Sequence, residues 1–258
     1  MTVEIKKESL FSYLIYNIPI EYDEHITLYP VTMKDIVSFQ ALSQSIIVRK
    51  NSIFREKRII KMSYLDFLIH CIGNINLESE YKIPGLSQYY FYAIYLLQLC
   101  CKDATMNQQG QIVINSEIIT PKIFDDLRRI IIIQNDIDFD IDEFLNYDTE
   151  QQFLNAKKHL YKETDKVNIE DYIDSLVIAM NTTEDRIMDM TIRKFWRYIK
   201  RYQLYEDYKI AKTGECSGFV KFKEPIKYWM VSLDNDDRYK NFKTNENSLK
   251  NKINNANN

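Results

Sequence analysis

Apolar positions recur at spacings of three and four over most of this chain, with short extended runs between them, the pattern expected of packed helices. The clearest stripe lies within residues 182–230. There Ile192, Phe195, Trp196 and Ile199 form one apolar line, and Arg193, Lys194, Arg197, Lys200 and Arg201 are expected on the opposite surface. Thr182 or Thr183 can cap a first short turn and Thr191 a longer helix, because a threonine hydroxyl accepts from a backbone N–H that the first turn leaves unpaired. Gly214, just past Ile210 and Ala211, is the expected C-terminal stop. Phe219, Val220 and Phe222 follow as a short apolar run, and Pro225 ends it.

The same reading applies upstream. Residues 10–20 are apolar with Pro19 near their end, which predicts a strand or an extended lead-in. Residues 26–29 predict a second strand, ended by Pro30 and paired with the first through the polar EYDEH turn. Thr32, with Asp35 as an acidic capping partner, opens a helix that should reach Val48, and residues 48–58 read as a charged connection. Ser63 and Asp66 repeat the capping logic for a helix over residues 64–72, stopped by Gly73. A tyrosine-rich helix ends near Cys101, and Gln109–Gly110 marks a hairpin turn before a strand at 111–114. Thr120–Pro121 starts a helix to Gln134, although the four isoleucines at 130–133 would also suit a strand. Two more helices are expected, over residues 149–161 and, capped by Asn168, over 169–180.

This pattern predicts a mainly α fold, a helical domain with two or three short β-hairpins. Residues 1–75 would hold the N-terminal hairpin and first helices, 76–232 the main helical domain, and 233–258 a polar, disordered tail. Only five glycines and five prolines in 258 residues agree with helices over turn-dense sheets. A formal charge of −3 supplies no global field toward nucleic acid or anionic lipid. The four cysteines, at 71, 100, 101 and 216, form no CxxC and read as buried free thiols in a reducing compartment. The N-terminus lacks the apolar core of a signal peptide, and the apolar run from Tyr89 is shorter than the roughly 20 residues that span a bilayer. A cytosolic protein without membrane partners is expected.

Candidate chemistry is thin. The alternating Asp136, Asp138, Asp140 and Asp142 invite a calcium loop, which needs glycine sixth and glutamate twelfth. Those places hold Ile141 and Tyr147 in one frame and Glu143 and Thr149 in the other, so no metal is expected. His25, His70 and His159 are isolated, and His70 beside Cys71 cannot easily bond it, because successive helical side chains point about 100° apart. No phosphate-loop, dinucleotide, HExxH or GxSxG motif occurs, so neither a cofactor nor an enzyme is expected. The basic run 193–201 with Tyr198 and Tyr202 has the residue types of a nucleic-acid surface. Acidic neighbours on both sides make a solvated helix face the plainer reading. Nineteen tyrosines and thirteen phenylalanines are the remaining anomaly, and exposed tyrosine favours protein interfaces.

The segment TIRKFWRYIKRYQLYEDYKIAKTGECSGFVKFKEPIKYWM resembles the C-terminal signature of tail assembly chaperone-like proteins from phages of low-GC Gram-positive bacteria. The shared features are an IRKF-like helix start, an aromatic helix, a small-residue SG turn, an F-K-like strand and a YWM-like close. ITLYPVTMKDIVSF resembles the opening strand, Y-P-V-T cap and first helix of the same proteins. A fainter likeness joins it to small baseplate proteins of contractile tails. The resemblance implies a non-catalytic factor in the host cytoplasm that keeps the tape-measure protein soluble and helps tail-tube subunits polymerise. A groove bearing Tyr89, Tyr92, Trp196, Tyr198 and Tyr202 would cover the apolar stripe of that partner. The alternatives are a permanent tail or baseplate subunit of the virion and a nucleic-acid-binding regulator.

Overall fold

The structure, a computed structural model, describes residues 5–74, 76, 83–139, 147–148, 151, 168–218, 220–222 and 224–233. The expected helix at 149–161 and the tail beyond 233 lie outside these residues, as do Asp140 and Asp142. The fold is mainly α with two small antiparallel sheets. Residues 1–196 and 197–258 form two compact units.

The chain opens with helix α1 (Phe11–Tyr16), not the extended segment expected there. Asn17, left-handed at φ 54°, ends it, so Pro19 falls outside the helix and breaks nothing. Strands β1 (Ile20–Glu21) and β2 (Thr27–Leu28) pair across the expected turn, with Ile20 opposite Leu28, although Ile20 alone of the segment 10–20 joins the strand. The Asp23 carboxylate accepts from the amides of His25 and Ile26, at 2.8 Å each, and closes the turn. A 3₁₀ turn at Met33–Asp35 leads into α2 (Ile36–Ser43), and a second at Gln44–Ile46 ends it. Thr32 precedes this run but its side chain caps nothing; instead its backbone bridges to Thr191. The expected charged connection contains one short helix, α3 (Lys50–Ile53), and the start of a second, α4 (Lys57–Lys61). Phe54, Ile59 and Ile60 give these turns a buried side that their charge had obscured.

Helix α5 (Tyr64–Cys71) is capped by the Ser63 hydroxyl, which accepts from the Asp66 amide, and Gly73 follows at φ 66°. Helix α6 (Tyr89–Cys101) is apolar nearly all round and is correspondingly central. It packs against α2, α5 and β3 (Ala104–Met106). Elements from both sides of residue 75 therefore share one core. β3 pairs with β4 (Ile112–Ile114), which pairs with β5 (Glu117–Ile118). Gly110 at φ 78° makes the expected first turn, while Asn115 and Ser116, both left-handed, make the second. Helix α7 (Pro121–Gln134) begins on the Thr120 cap with Pro121 in the first turn, and its isoleucines are helical. Asn168 caps α8 (Ile169–Met180) in a reciprocal capping box with Asp171. The short α9 (Glu184–Met188) and the long α10 (Ile192–Cys216) follow.

The Y-P-V-T strip, residues 29–32, ties these elements together. The Tyr29 amide donates to the Cys100 carbonyl at the end of α6, at 2.7 Å. The Val31 amide donates to the Asn135 side chain just past α7, at 3.1 Å. The Val31 carbonyl accepts from the Ile192 amide at 2.9 Å, and the Met33 amide donates to Met190 at 2.8 Å. A segment too short for a sheet thus finds partners for its backbone at three helix ends, where unpaired groups are plentiful.

Candidate partner-binding face in the C-terminal unit

From Arg197 onward, α10 carries an aromatic stripe at helical spacing, Tyr198, Tyr202, Tyr205 and Tyr208. The helix continues through Gly214, where a stop was expected, to Cys216. Gly214 keeps φ negative; the left-handed turn is made by Gly218 at φ 75°, whose amide donates to the Glu215 carbonyl at 3.2 Å. The chain then returns antiparallel along the helix. Val220 and Phe222 lie over Gly214, where a Cβ would meet the Val220 Cβ at 3.8 Å and the Phe222 Cζ at 3.9 Å, ordinary contact distances. Farther back, Tyr228 meets Tyr208 edge-on, with centroids 5.5 Å apart, and Trp229 meets Tyr205 at 5.2 Å. Arg201 finishes the clasp, donating to the carbonyls of Trp229 at 2.6 Å and Val231 at 3.0 Å. The strand that the resemblance implies around residue 222 pairs with no strand among the described residues; side chains, not a ladder, hold this segment.

That clasp leaves apolar surface in solvent. Tyr198, Tyr202 and Tyr205 are each 39% exposed, and Val220, Phe222, Tyr228, Met230 and Val231 are more exposed still. Lys209 and Lys212 bond Glu206 at 3.0 Å and Glu215 at 2.7 Å. Those hydrogen bonds raise both ammonium groups above the ordinary lysine range. The face is thus apolar in the middle with paired charge beside it.

The expected basic surface needs correction at two of its five cations. Arg193 is buried at 4% exposure and donates to the Leu14 carbonyl at 3.0 Å. Arg201 is spent on the clasp. Ile192, Phe195 and Ile199 are buried as the stripe requires. Of the five aromatic residues chosen from the sequence, Tyr89 is buried against Tyr92 at 6.0 Å, both near Gly85. Trp196 packs edge-on against Tyr172 at 5.2 Å and Phe195 at 5.1 Å. Tyr198 and Tyr202 stand one helical turn apart on the face described above. Missing from that choice were Arg201, Tyr205, Tyr208, Tyr228 and Trp229. Their signal was present as a four-tyrosine stripe upstream of a YW pair, separated by a turn containing Ser217 and Gly218.

Reactive groups elsewhere are muted. Burial pushes the Cys71 thiol up to about 11 and Cys101 to about 12, and raises Cys100 well above the usual thiol range. Cys216 is exposed, against the expectation that all four thiols would be buried. Among the described residues no cluster of three or more His, Cys, Asp or Glu has metal-binding geometry, and no helix is long and apolar enough to cross a membrane.

Residues 157–234 match the model of the YomV second domain, a phage-associated family. The match points to a phage protein. It takes in α8, α9, α10 and the return segment, so the aromatic clasp lies wholly within the matched region. No curated protein and no solved structure matches the chain.

Proposed function

We propose that this chain is a non-catalytic phage tail assembly factor whose aromatic face at residues 198–231 covers an apolar stripe of the tape-measure protein. One observation supports it above the rest. The rings of Tyr205, Tyr208, Tyr228 and Trp229 are fixed against each other, yet the surface around them remains partly exposed, within the region that matches a phage-associated model. Fixed aromatics offer contact area at low ordering cost, which is what a docking face needs. A tape measure is a long helical chain with an apolar stripe, and helix-in-groove docking buries such a stripe. Tyr198 and Tyr202 join this face; Tyr89, Tyr92 and Trp196 support the fold behind their own surfaces. Tail-tube subunits would be the second partner, and the host cytoplasm the place of action. No cofactor or reacting group enters.

Co-expression with the tape-measure protein of the same phage tests the reading. The pair should co-purify, and the tape measure should gain solubility. Tyr202→Ser combined with Tyr205→Ser should abolish both effects while leaving the circular dichroism spectrum unchanged. Wild-type protein that neither co-purifies nor solubilises its partner would refute the proposal. Finding the chain in purified virions by mass spectrometry would move the role to a permanent tail subunit.

A further inference from the structure

The last buried residue among those described is Ile199. From Lys200 to Leu233 each described residue is half-buried or exposed, although large apolar side chains recur along the segment. Helix α10 and the return segment thus make one layer with no second layer to close it, whereas a stable unit buries its apolar faces between layers. Units this small are held together by disulfides, by a structural metal or by association with another chain. Cys216 is the single cysteine of residues 197–258, and the described residues hold no group of His, Cys, Asp or Glu able to bind a metal. Association is the route left.

The face is built to meet a copy of itself. Tyr198, Tyr202 and Tyr205 lie four and then three residues apart, the spacing of a seam between two helices. Two such seams laid antiparallel about a two-fold axis at Tyr202 set Tyr198 of one copy beside Tyr205 of the other, so the rings of both copies close over one another. Phe222, Tyr228 and Met230, more exposed than these tyrosines, add apolar area from the return segment, and aromatic and methionine side chains are what such interfaces favour. Charge agrees. A symmetric face brings like charges together unless each is already compensated, and here Lys209 and Lys212 hold Glu206 and Glu215 on their own helix, at 3.0 Å and 2.7 Å. Lys209 and Lys212 also continue the seam's spacing. A parallel pairing would set each lysine against its own copy, and the antiparallel one carries them past the rings.

We propose that this face closes on a second copy of the chain, with α10 of one protomer antiparallel to α10 of its partner about Tyr202. The dimer is the form the chain takes when no other partner is present. It uses the face assigned above to the tape-measure protein, so the two occupants exclude each other. That exclusion rests on the tape-measure reading; the dimer itself does not.

Sedimentation equilibrium of the full chain at micromolar concentrations tests this and should show a reversible monomer–dimer equilibrium. Tyr198→Ser combined with Tyr202→Ser leaves the Tyr205–Trp229 and Tyr208–Tyr228 contacts in place. The pair should weaken the dimer at least about 100-fold with an unchanged circular dichroism spectrum. Tyr202→Cys in a Cys216→Ser background should give a disulfide-linked dimer on mild oxidation, because a residue on a two-fold axis meets its own copy. Native Cys216 is exposed but lies far along the helix from Tyr202, so the two thiols of the dimer would stand about 40 Å apart and should not link. A wild-type monomer at every concentration, a dimer indifferent to the double substitution, or ready linkage through native Cys216 would overturn the proposal. A monomer that still co-purifies with the tape-measure protein would remove the dimer and leave that reading standing. A dimer that never takes up the tape measure would do the reverse.

Discussion

Arg201→Met isolates the clasp that shapes the proposed docking face. The methionine keeps much of the stem's packing beside Trp229 but removes both donors, to the Trp229 carbonyl at 2.6 Å and the Val231 carbonyl at 3.0 Å. Hydrogen bonds from a charged donor are each worth about 1.5–3 kcal/mol when buried. Arg201 is half-buried and the Val231 bond lies in solvent, so the pair together contributes about 2–3 kcal/mol after that discount. No strand partner among the described residues substitutes for them. The return segment should therefore open roughly 30 to 150 times more often, since each 1.4 kcal/mol is a factor of ten. Trypsin reads this directly, because Lys221 and Lys227 are exposed cleavage sites within the segment. At protease concentrations where closing outruns cutting, the cleavage rate follows the open population. Mass spectrometry should show cutting after Lys221 and Lys227 accelerated by that factor, with cutting after Lys122 in α7 unchanged. Arg201→Lys should fall between, because the ammonium sits on a shorter stem and is more strongly hydrated than the guanidinium whose Nη1 makes both bonds. Equal rates at Lys227 in wild type and Arg201→Met would refute the claim that this arginine holds the segment down.

Three further outcomes follow from particular positions. Gly214→Ala should stabilise the protein by about 0.5 kcal/mol, since the added methyl meets Val220 and Phe222 at ordinary contact distance inside a helix, whereas Gly218→Ala, at φ 75°, should cost about 1 kcal/mol; paired thermal melts decide the signs. A thiol reagent should label Cys216 alone in the native protein, because Cys71, Cys100 and Cys101 are buried and held protonated, and rapid labelling of a second thiol would contradict the packing around α6. Tyr64 is fully buried, with its phenol pushed from 10.0 to about 12 mainly by desolvation. The folded chain thus holds this proton more tightly than the unfolded one, so its contribution is whole below pH 10.0 and declines as pH rises toward 12. Urea unfolding across that window should lose on the order of 2–3 kcal/mol, and Tyr64→Phe should flatten the loss.

Capping chemistry was the part of the fold most legible in the sequence. Ser63, Thr120 and Asn168 each cap the helix assigned to them, because a short polar side chain before an apolar stripe has one low-energy use there. The β1–β2 pairing and the turn at Gly110 were legible for a similar reason, local turn chemistry. Failures came where tertiary contact overrode local preference. Residues 11–16 look extended because Tyr and Ile suit strands, yet a single turn of helix buries Leu14 and leaves its carbonyl for Arg193, far away in sequence. Thr32 has the composition of a cap, but its backbone is taken by Thr191, so the helix behind it starts in 3₁₀ geometry. Gly214 looks like a stop only if nothing packs on it. Val220 and Phe222 do, and the helix continues beneath them. The proposed face was half legible, since Tyr198 and Tyr202 follow from periodicity while Tyr228 and Trp229 join them only through the return of the chain.

The arginines show why charge counted along a sequence overstates charge on a surface. Arg128 sits in α7 at 7% exposure, donates from Nε to the Ile46 carbonyl at 2.5 Å, and lies 3.7 Å over the Tyr64 ring. Arg193 caps the carbonyl end of α1, and Arg201 caps the end of the return segment. In each case the acceptor is a backbone carbonyl, where local secondary structure offers no donor, and a guanidinium combines several donors in a fixed fork with a stem long enough to reach it. A basic, tyrosine-bearing helix can therefore arise from structural need alone. Once Arg193 and Arg201 are assigned to that need, three of the run's five cations, Lys194, Arg197 and Lys200, lie outside it, while its tyrosines keep their place beside the clasp. With two of the five cations holding backbone carbonyls, the basic run weighs less as a surface charge, in keeping with the apolar polypeptide partner proposed above.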